Sequence, residues 1–329
     1  MNRTEFNQSD RCVHFSCPER SVSSAVYILL YVCSAAVVLL TVCGNLLVFI
    51  SVFHFKQLHT PTNMYLLSLA VSDFLIGIFV MPPMLIWSIE SCWIFGRDFC
   101  TIYWLVTSFP SISTYTIVQI SVDRYLALSN PFLYMNIISV RITWAVVVFN
   151  WCVVMTYMLA LLYFNGNFKS SVMCPGECFL SANNIWSIID LVFSFIFPLS
   201  LIIMFYTLVF MIAKKHATAI RELNNHTRPK SQKITSHSMK SERKAAKVLS
   251  ILVSVFLVCL LPYFMYSLLG NVIELRLEIG QKVLITLYLN STINPFIYAL
   301  FYPWFRKCIK LIVTMQIFQR DSALINILS

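Results

Sequence analysis

Apolar residues run in seven long stretches, Ser24–Phe53, Asn63–Ser88, Phe99–Ala127, Thr143–Phe164, Asn184–Ile212, Ala245–Leu269 and Lys282–Tyr302. Each reaches the roughly 20 residues that a helix needs to cross the hydrocarbon core of a bilayer. Backbone N–H and C=O groups in that core must be satisfied within the segment, so the pattern predicts helices. The expected fold is an all-α membrane protein, a seven-transmembrane helix bundle. After Pro303, the residues Trp304, Phe305, Cys308, Ile309 and Leu311 alternate with Arg306, Lys307 and Lys310, the pattern of a short interfacial helix. The expected organisation is an extracellular segment over 1–23, one bundle over 24–302, and an interfacial helix with a cytoplasmic tail over 303–329.

Composition removes the soluble alternative. The 329 residues are 58% hydrophobic and 12% charged, against about a quarter charged in soluble domains. A net charge of +10 raises the question of nucleic acid, but its distribution answers it. Lys214, Lys215, Arg221, Arg228, Lys230, Lys233, Lys240, Arg243, Lys244 and Lys247 crowd the fifth-to-sixth connection, and Arg306, Lys307 and Lys310 follow the seventh span. Such clusters mark the cytoplasmic side. With an odd number of spans the N-terminus is then extracellular, where Asn2 and Asn7 are glycosylation acceptors in Asn2-Arg3-Thr4 and Asn7-Gln8-Ser9. Asn225 and Asn290 match the same motif, but this topology places them where no glycan is added. No basic segment followed by an apolar one opens the chain, so the first span is expected to act as its own signal in a multi-pass plasma-membrane protein.

Cys12, Cys17, Cys92, Cys100, Cys174 and Cys178 all fall outside, where disulfides persist, and permit fifteen pairings. Cys33, Cys43, Cys152 and Cys259 lie in spans as expected packing residues. Cys308, beside basic residues at the interface, is open to two readings, S-palmitoylation or a free thiol.

Polar side chains inside spans are costly unless paired. Asn45, Asp73, Ser113, Asn290, Ser291 and Asn294 form one candidate interior cluster. One reading is mutual hydrogen bonding that fixes helix packing; the other is a cation pocket around Asp73 for sodium. Asp123-Arg124-Tyr125 ends the third span, and Glu242 at the foot of the sixth is a candidate partner for Arg124, a pair whose breaking would make a switch.

Asn45, Asp73, Asp123-Arg124-Tyr125, Trp151, Pro198, Cys259-Leu260-Leu261-Pro262 and Asn294-Pro295-Phe296-Ile297-Tyr298 supply one landmark per span. In this order they resemble a rhodopsin-like G-protein-coupled receptor over the whole chain. The run Asn290–Phe305 resembles the fingerprint of the trace amine-associated receptors, as do two N-terminal cysteines, Cys92-Trp93 before Cys100, and Cys174-Pro175-Gly176-Glu177-Cys178. The resemblance implies a small amine ligand, a heterotrimeric G protein as partner and disulfides Cys100–Cys178, Cys12–Cys174 and Cys17–Cys92. It also implies that Tyr263, Phe264 and Tyr288 line the pocket and that Tyr206 and Tyr298 rearrange around Arg124.

The chain departs from that family at the ligand anchor. The third-span aspartate of amine receptors falls at Val106 counted from Arg124, or at Thr107 counted from Cys100, because the span is one residue short. Leu260 replaces the tryptophan beneath the pocket, and Pro110 predicts a kink. A carboxylate stands instead in the fifth span, Asp190, with Ser187, Ser194 and Phe197 at helical spacing. It reads either as an acid paired with a neighbouring hydroxyl or as the counter-ion of an ammonium. The second reading resembles fish olfactory members of the family, whose anchor lies in the fifth span. One internal carboxylate favours a monoamine, with Glu177 a candidate second anchor for a diamine. The expected function is an olfactory amine receptor. Its rivals are a neuromodulatory biogenic-amine receptor and a transporter, although no internal repeat supports transport. No nucleophile–base cluster lies in the spans, so an enzyme is not expected.

Overall fold

The computed structural model describes Cys17, residues 23–164, Gly176, Cys178 and residues 184–226, 233–270, 277–319 and 322–327, of which 184, 216–217, 219–226, 233–249, 270, 277–278 and 281 are described by their backbone alone. Among the described residues, six helices are long and apolar enough to cross a membrane: Ser24–His54, Pro61–Glu90, Val140–Phe164, Ile185–Lys215, Ser250–Leu269 and Lys282–Phe301. Between the second and fourth of the seven predicted spans lie two consecutive helices, Gly96–Val106 and Phe109–Ser129, which make up the third. This span is more polar than the others because it packs among its neighbours rather than against lipid. Ser113, Thr114, Thr116, Ser121, Asp123 and Arg124 are all buried on it. Thr114, Thr116 and Ser121 return their hydroxyls to the carbonyls of Pro110, Ile112 and Ile117 four residues back, which satisfies them without a partner helix.

Proline sets the irregularities. The third span breaks at Thr107-Ser108, where tighter bonds (Ser108 N to Leu105 O, 3.2 Å; Ser111 N to Ser108 O, 3.0 Å) replace the regular ladder ahead of Pro110. The predicted kink is thus a full break. Two π turns were not expected from the sequence, Ile76–Val80 ahead of Met81-Pro82 and Val192–Ile196 ahead of Phe197-Pro198. In each, the residue before the proline donates its N–H five positions back, Met81 to Ile76 O and Phe197 to Val192 O. The wide turn removes the clash between the proline ring and the carbonyl four residues earlier. First and seventh spans meet closely at Gly44, where an added methyl carbon would lie 2.8 Å from the Pro295 ring.

At the N-terminal face Cys100–Cys178 and Cys17–Cys92 are disulfide-bonded. These are the pairings the resemblance implied for those four residues; Cys12, Cys174, Asn2, Asn7 and Glu177 lie outside the described residues. Trp93 N donates to Gly176 O at 2.8 Å, with Gly176 at φ +97°, a conformation that costs a residue with a Cβ.

At the other face Pro303–Val313 forms the expected helix, with Trp304, Phe305 and Cys308 buried and Arg306, Lys307 and Lys310 exposed. Arg306 Nη1 donates to Ala299 O and Leu300 O, both at 3.0 Å, closing the end of the seventh span. One cysteine expectation needs correction. Cys33, Cys43 and Cys152 face outward rather than packing inside. Cys308, left open between S-palmitoylation and a free thiol, is a free cysteine fully buried against the bundle, and burial pushes its thiol up to about 11.

Candidate functional site

Three polar centres are stacked along the bundle. The outermost is built on Asp190, half-buried in the fifth span two residues ahead of the π turn. Its Oδ1 accepts two hydroxyls, Ser194 from its own helix and Tyr157 from the fourth span, both at 3.0 Å. No hydrogen bond to Oδ2 and no ion pair of Asp190 occurs among the described residues. Tyr157 was not singled out from the sequence, since a tyrosine in a span is usually packing and its partner is known only once helices are assembled. Its ring stacks on Phe193 at 4.0 Å and 26°. The Phe193 carbonyl is left without a helical donor, because Phe197 N–H goes to Val192 O and Pro198 has none. Tyr115 OH of the third span takes it at 2.7 Å. Ser187 is half-buried, while Phe197 is 51% exposed. The π turn shifts the helical register after Ser194, so the expectation that Phe197 shares the Asp190 face is wrong.

Aromatic residues flank this centre. Tyr263 and Phe264 of the sixth span are half-buried and meet Phe195, a buried residue of the π turn, at 5.1 and 6.4 Å. Tyr263 lies within electrostatic reach of Asp190. Tyr288 of the seventh span is buried, within electrostatic reach of Tyr103 and Tyr263. Val106 and Thr107, the two third-span candidates, sit at the helix break, and the Thr107 hydroxyl turns back to Trp104 O at 2.6 Å.

The middle centre is the polar cluster expected around Asp73, which is fully buried. Its Oδ1 accepts Ser291 at 2.8 Å and Ser113 at 3.2 Å, and its Oδ2 accepts Asn294 Nδ2 at 2.7 Å. Ser72 lies 2.8 Å from Ser113, and Asn45 Nδ2 donates to Thr41 O and Ser291 O at 2.9 Å each. The side-chain oxygens of Asn45, Asn290 and Asn294 and the Tyr298 hydroxyl are buried without a hydrogen-bond partner among the described residues. Buried acceptors left open around a carboxylate fit a hard cation such as sodium, which takes oxygen ligands.

The innermost centre joins Asp123 and Arg124, both buried. Arg124 donates Nη2 (2.5 Å) and Nε (3.1 Å) to Asp123 Oδ2 and reaches Thr62 Oγ1 as well. Asp123 also accepts Thr62 Oγ1 at 2.9 Å and Tyr134 OH at 2.7 Å. Tyr134 comes from the short helix Pro131–Ile137, which is started by Asn130 capping Leu133 N. Burial, then the adjacent carboxylate, pushes the Tyr134 phenol well up, so it remains a donor. Neither Thr62 nor Tyr134 carries a sequence signal for this role. Tyr206 lies within electrostatic reach of Arg124, Tyr125 packs on Phe205, and Tyr298 packs on Tyr302 and Phe305. The side chain of Glu242 lies outside those described.

Residues 44–298 match the model of the family described as 7 transmembrane receptor (rhodopsin family). Trace amine-associated receptor 13c of Danio rerio is 36% identical over 99% of this chain and 98% of its own length. Trace amine-associated receptor 6 of Rattus norvegicus is 37% identical over 96% of this chain and 94% of its own. Trace amine-associated receptor 7f of Mus musculus is 36% identical, covering 95% and 90%.

Proposed function

Because the chain belongs to the rhodopsin family of seven-transmembrane receptors and, within it, to the trace amine-associated receptors, we propose that it senses a small monoamine whose ammonium is held by Asp190. The carrying observation is a carboxylate inside the fifth span that is met by two neutral hydroxyls and by no cation among the described residues. A ligand ammonium would offset the cost of keeping that charge out of water, and a charge-assisted hydrogen bond would direct it. Tyr263, Phe264 and Tyr288 would hold the alkyl or aryl body and support the cation with their ring faces. Binding would favour the state in which the cytoplasmic face accepts a heterotrimeric G protein.

The N-terminus faces the outside of the plasma membrane in this reading. The two disulfides lie on one side, and Lys214, Lys215, Arg306, Lys307 and Lys310 on the other. Glycans on Asn2 and Asn7 belong to the same reading, and glycosidase treatment that leaves the mobility of the surface receptor unchanged would count against them. An olfactory setting is part of the proposal; absence of the transcript from olfactory sensory neurons would contradict it.

A panel of primary to tertiary alkyl and aryl amines, applied to cells bearing the wild type or Asp190→Ala, tests the anchor. The variant should lose the response at normal surface abundance. Equal activation of both receptors by the same amines refutes the assignment. In the middle centre we place sodium, held by Asp73, Ser113, Asn290 and Asn294, as an ion that biases the receptor toward rest. Exchanging external sodium for N-methylglucamine should then shift amine potency severalfold in the wild type and not in Asp73→Asn. Identical shifts in both would remove the ion from the account.

A further inference from the structure

The Asp190 carboxylate is tied in an asymmetric way. A carboxylate offers about four acceptor sites, two on each oxygen. Both hydroxyls that reach Asp190 take the same one, Ser194 from one turn along its own helix and Tyr157 from the facing fourth span. Oδ1 is thereby filled, and Oδ2 accepts nothing among the described residues.

Tyr157 is itself fixed. Its ring stacks on Phe193 at 4.0 Å, inside the π turn, and the carbonyl of that residue is held by Tyr115 at 2.7 Å. The third, fourth and fifth spans therefore converge on the orientation of one side chain. A single hydroxyl on a one-turn neighbour would leave the carboxylate free to rotate about its last bond. A second donor fixed on another helix removes that freedom.

We infer that Tyr157 is a positioning residue for the ligand. It fixes the Asp190 carboxylate so that Oδ2 alone is presented to an ammonium N–H, and with Ser194 it sets the potency of primary amines. The inference rests on the reading of Asp190 as the ammonium anchor, and deepens it. Tyr157 does not touch the ligand in this account; it acts through Asp190. The ligand class that follows is an ammonium carrying at least one N–H, because a single oriented oxygen rewards a directional donor.

The test uses the full chain in cells, with butylamine and phenethylamine as probes. Tyr157→Phe keeps the stacked ring and removes only the hydroxyl. It should raise the half-maximal concentration about tenfold, the scale of one hydrogen bond to a charged group, with unchanged maximal response and surface abundance. Ser194→Ala should do less than the loss of both. In the double variant the loss should exceed the product of the two single losses, since each single variant leaves one donor on Oδ1. A merely structural role would lower abundance or give losses that multiply. Asp190→Ala, measured beside them, separates the two claims. If it abolishes the response while Tyr157→Phe keeps full potency, or the losses simply multiply, the positioning role is wrong and the anchor stands. If Asp190→Ala responds as wild type, both fall.

Discussion

Asp123→Asn raises ligand-independent signalling at equal surface density. Asp123 is buried and accepts from three groups, Arg124, Thr62 and Tyr134, which belong to the third span, the second span and the short helix Pro131–Ile137. The amide keeps the size of the side chain but removes the charge that faces a buried guanidinium. Breaking a buried pair by neutralising one partner costs about 3–5 kcal/mol. That cost falls on the arrangement in which Arg124 is enclosed and much less on one in which it is exposed to solvent or to a G protein. If half of it acts on this equilibrium, the ratio of signalling to resting state rises roughly ten- to sixtyfold, because each 1.4 kcal/mol is a factor of ten. Basal nucleotide exchange on the G protein, normalised to receptor number, checks this; unchanged or lower activity contradicts it. Glu242→Ala made alongside should act in the same direction if that residue shares Arg124.

The second large effect concerns folding. Cys100 and Cys178 are both wholly buried, and their bridge closes a separation of 78 residues. Loss of a native disulfide commonly costs about 2–5 kcal/mol and can prevent folding at body temperature. The bridge also fixes the loop whose Gly176 pairs with Trp93, above the buried cluster of Trp87, Trp93 and Tyr103. Cys178→Ser should therefore remove most of the receptor from the cell surface. Cys100→Ser should do the same, and the double variant no more than either alone. Surface labelling measures this, and wild-type abundance for either single variant would contradict it.

Much of the bundle was legible in the sequence because lipid imposes a simple rule. Six of the seven predicted stretches are helices of spanning length and apolarity, and the remaining one, the third, is helical but polar because it lies in the middle. The cluster at Asp73 was legible for a related reason: few polar residues lie at that depth, so they find one another. Asp190 stood out as a carboxylate in a span. What surrounds it did not. Tyr157, Thr62 and Tyr134 are donors whose partners depend on which helices become neighbours, and no spacing along one segment encodes that. Pro82 and Pro198 were visible, but proline signals only that a regular turn fails. Whether a kink, a break or a π turn replaces it is decided by packing. The misplacement of Phe197 follows directly, since a count in steps of three and four assumes the regular turn that Pro198 abolishes. The burial of Cys308 was not legible, because its basic neighbours point to an interface while its own side of the helix faces the bundle.

The central claim is that Asp190 is the counter-ion of the ligand's ammonium. Direct binding of phenethylamine to the purified full chain in lipid nanodiscs, wild type against Asp190→Asn, tests it without the signalling machinery. The asparagine keeps the volume and one hydrogen-bonding oxygen, removes the charge and puts an N–H donor in place of the second acceptor. The account predicts binding weakened about a hundredfold, the scale on which removing one member of a buried charge pair acts. Equal affinity in the two proteins would contradict it.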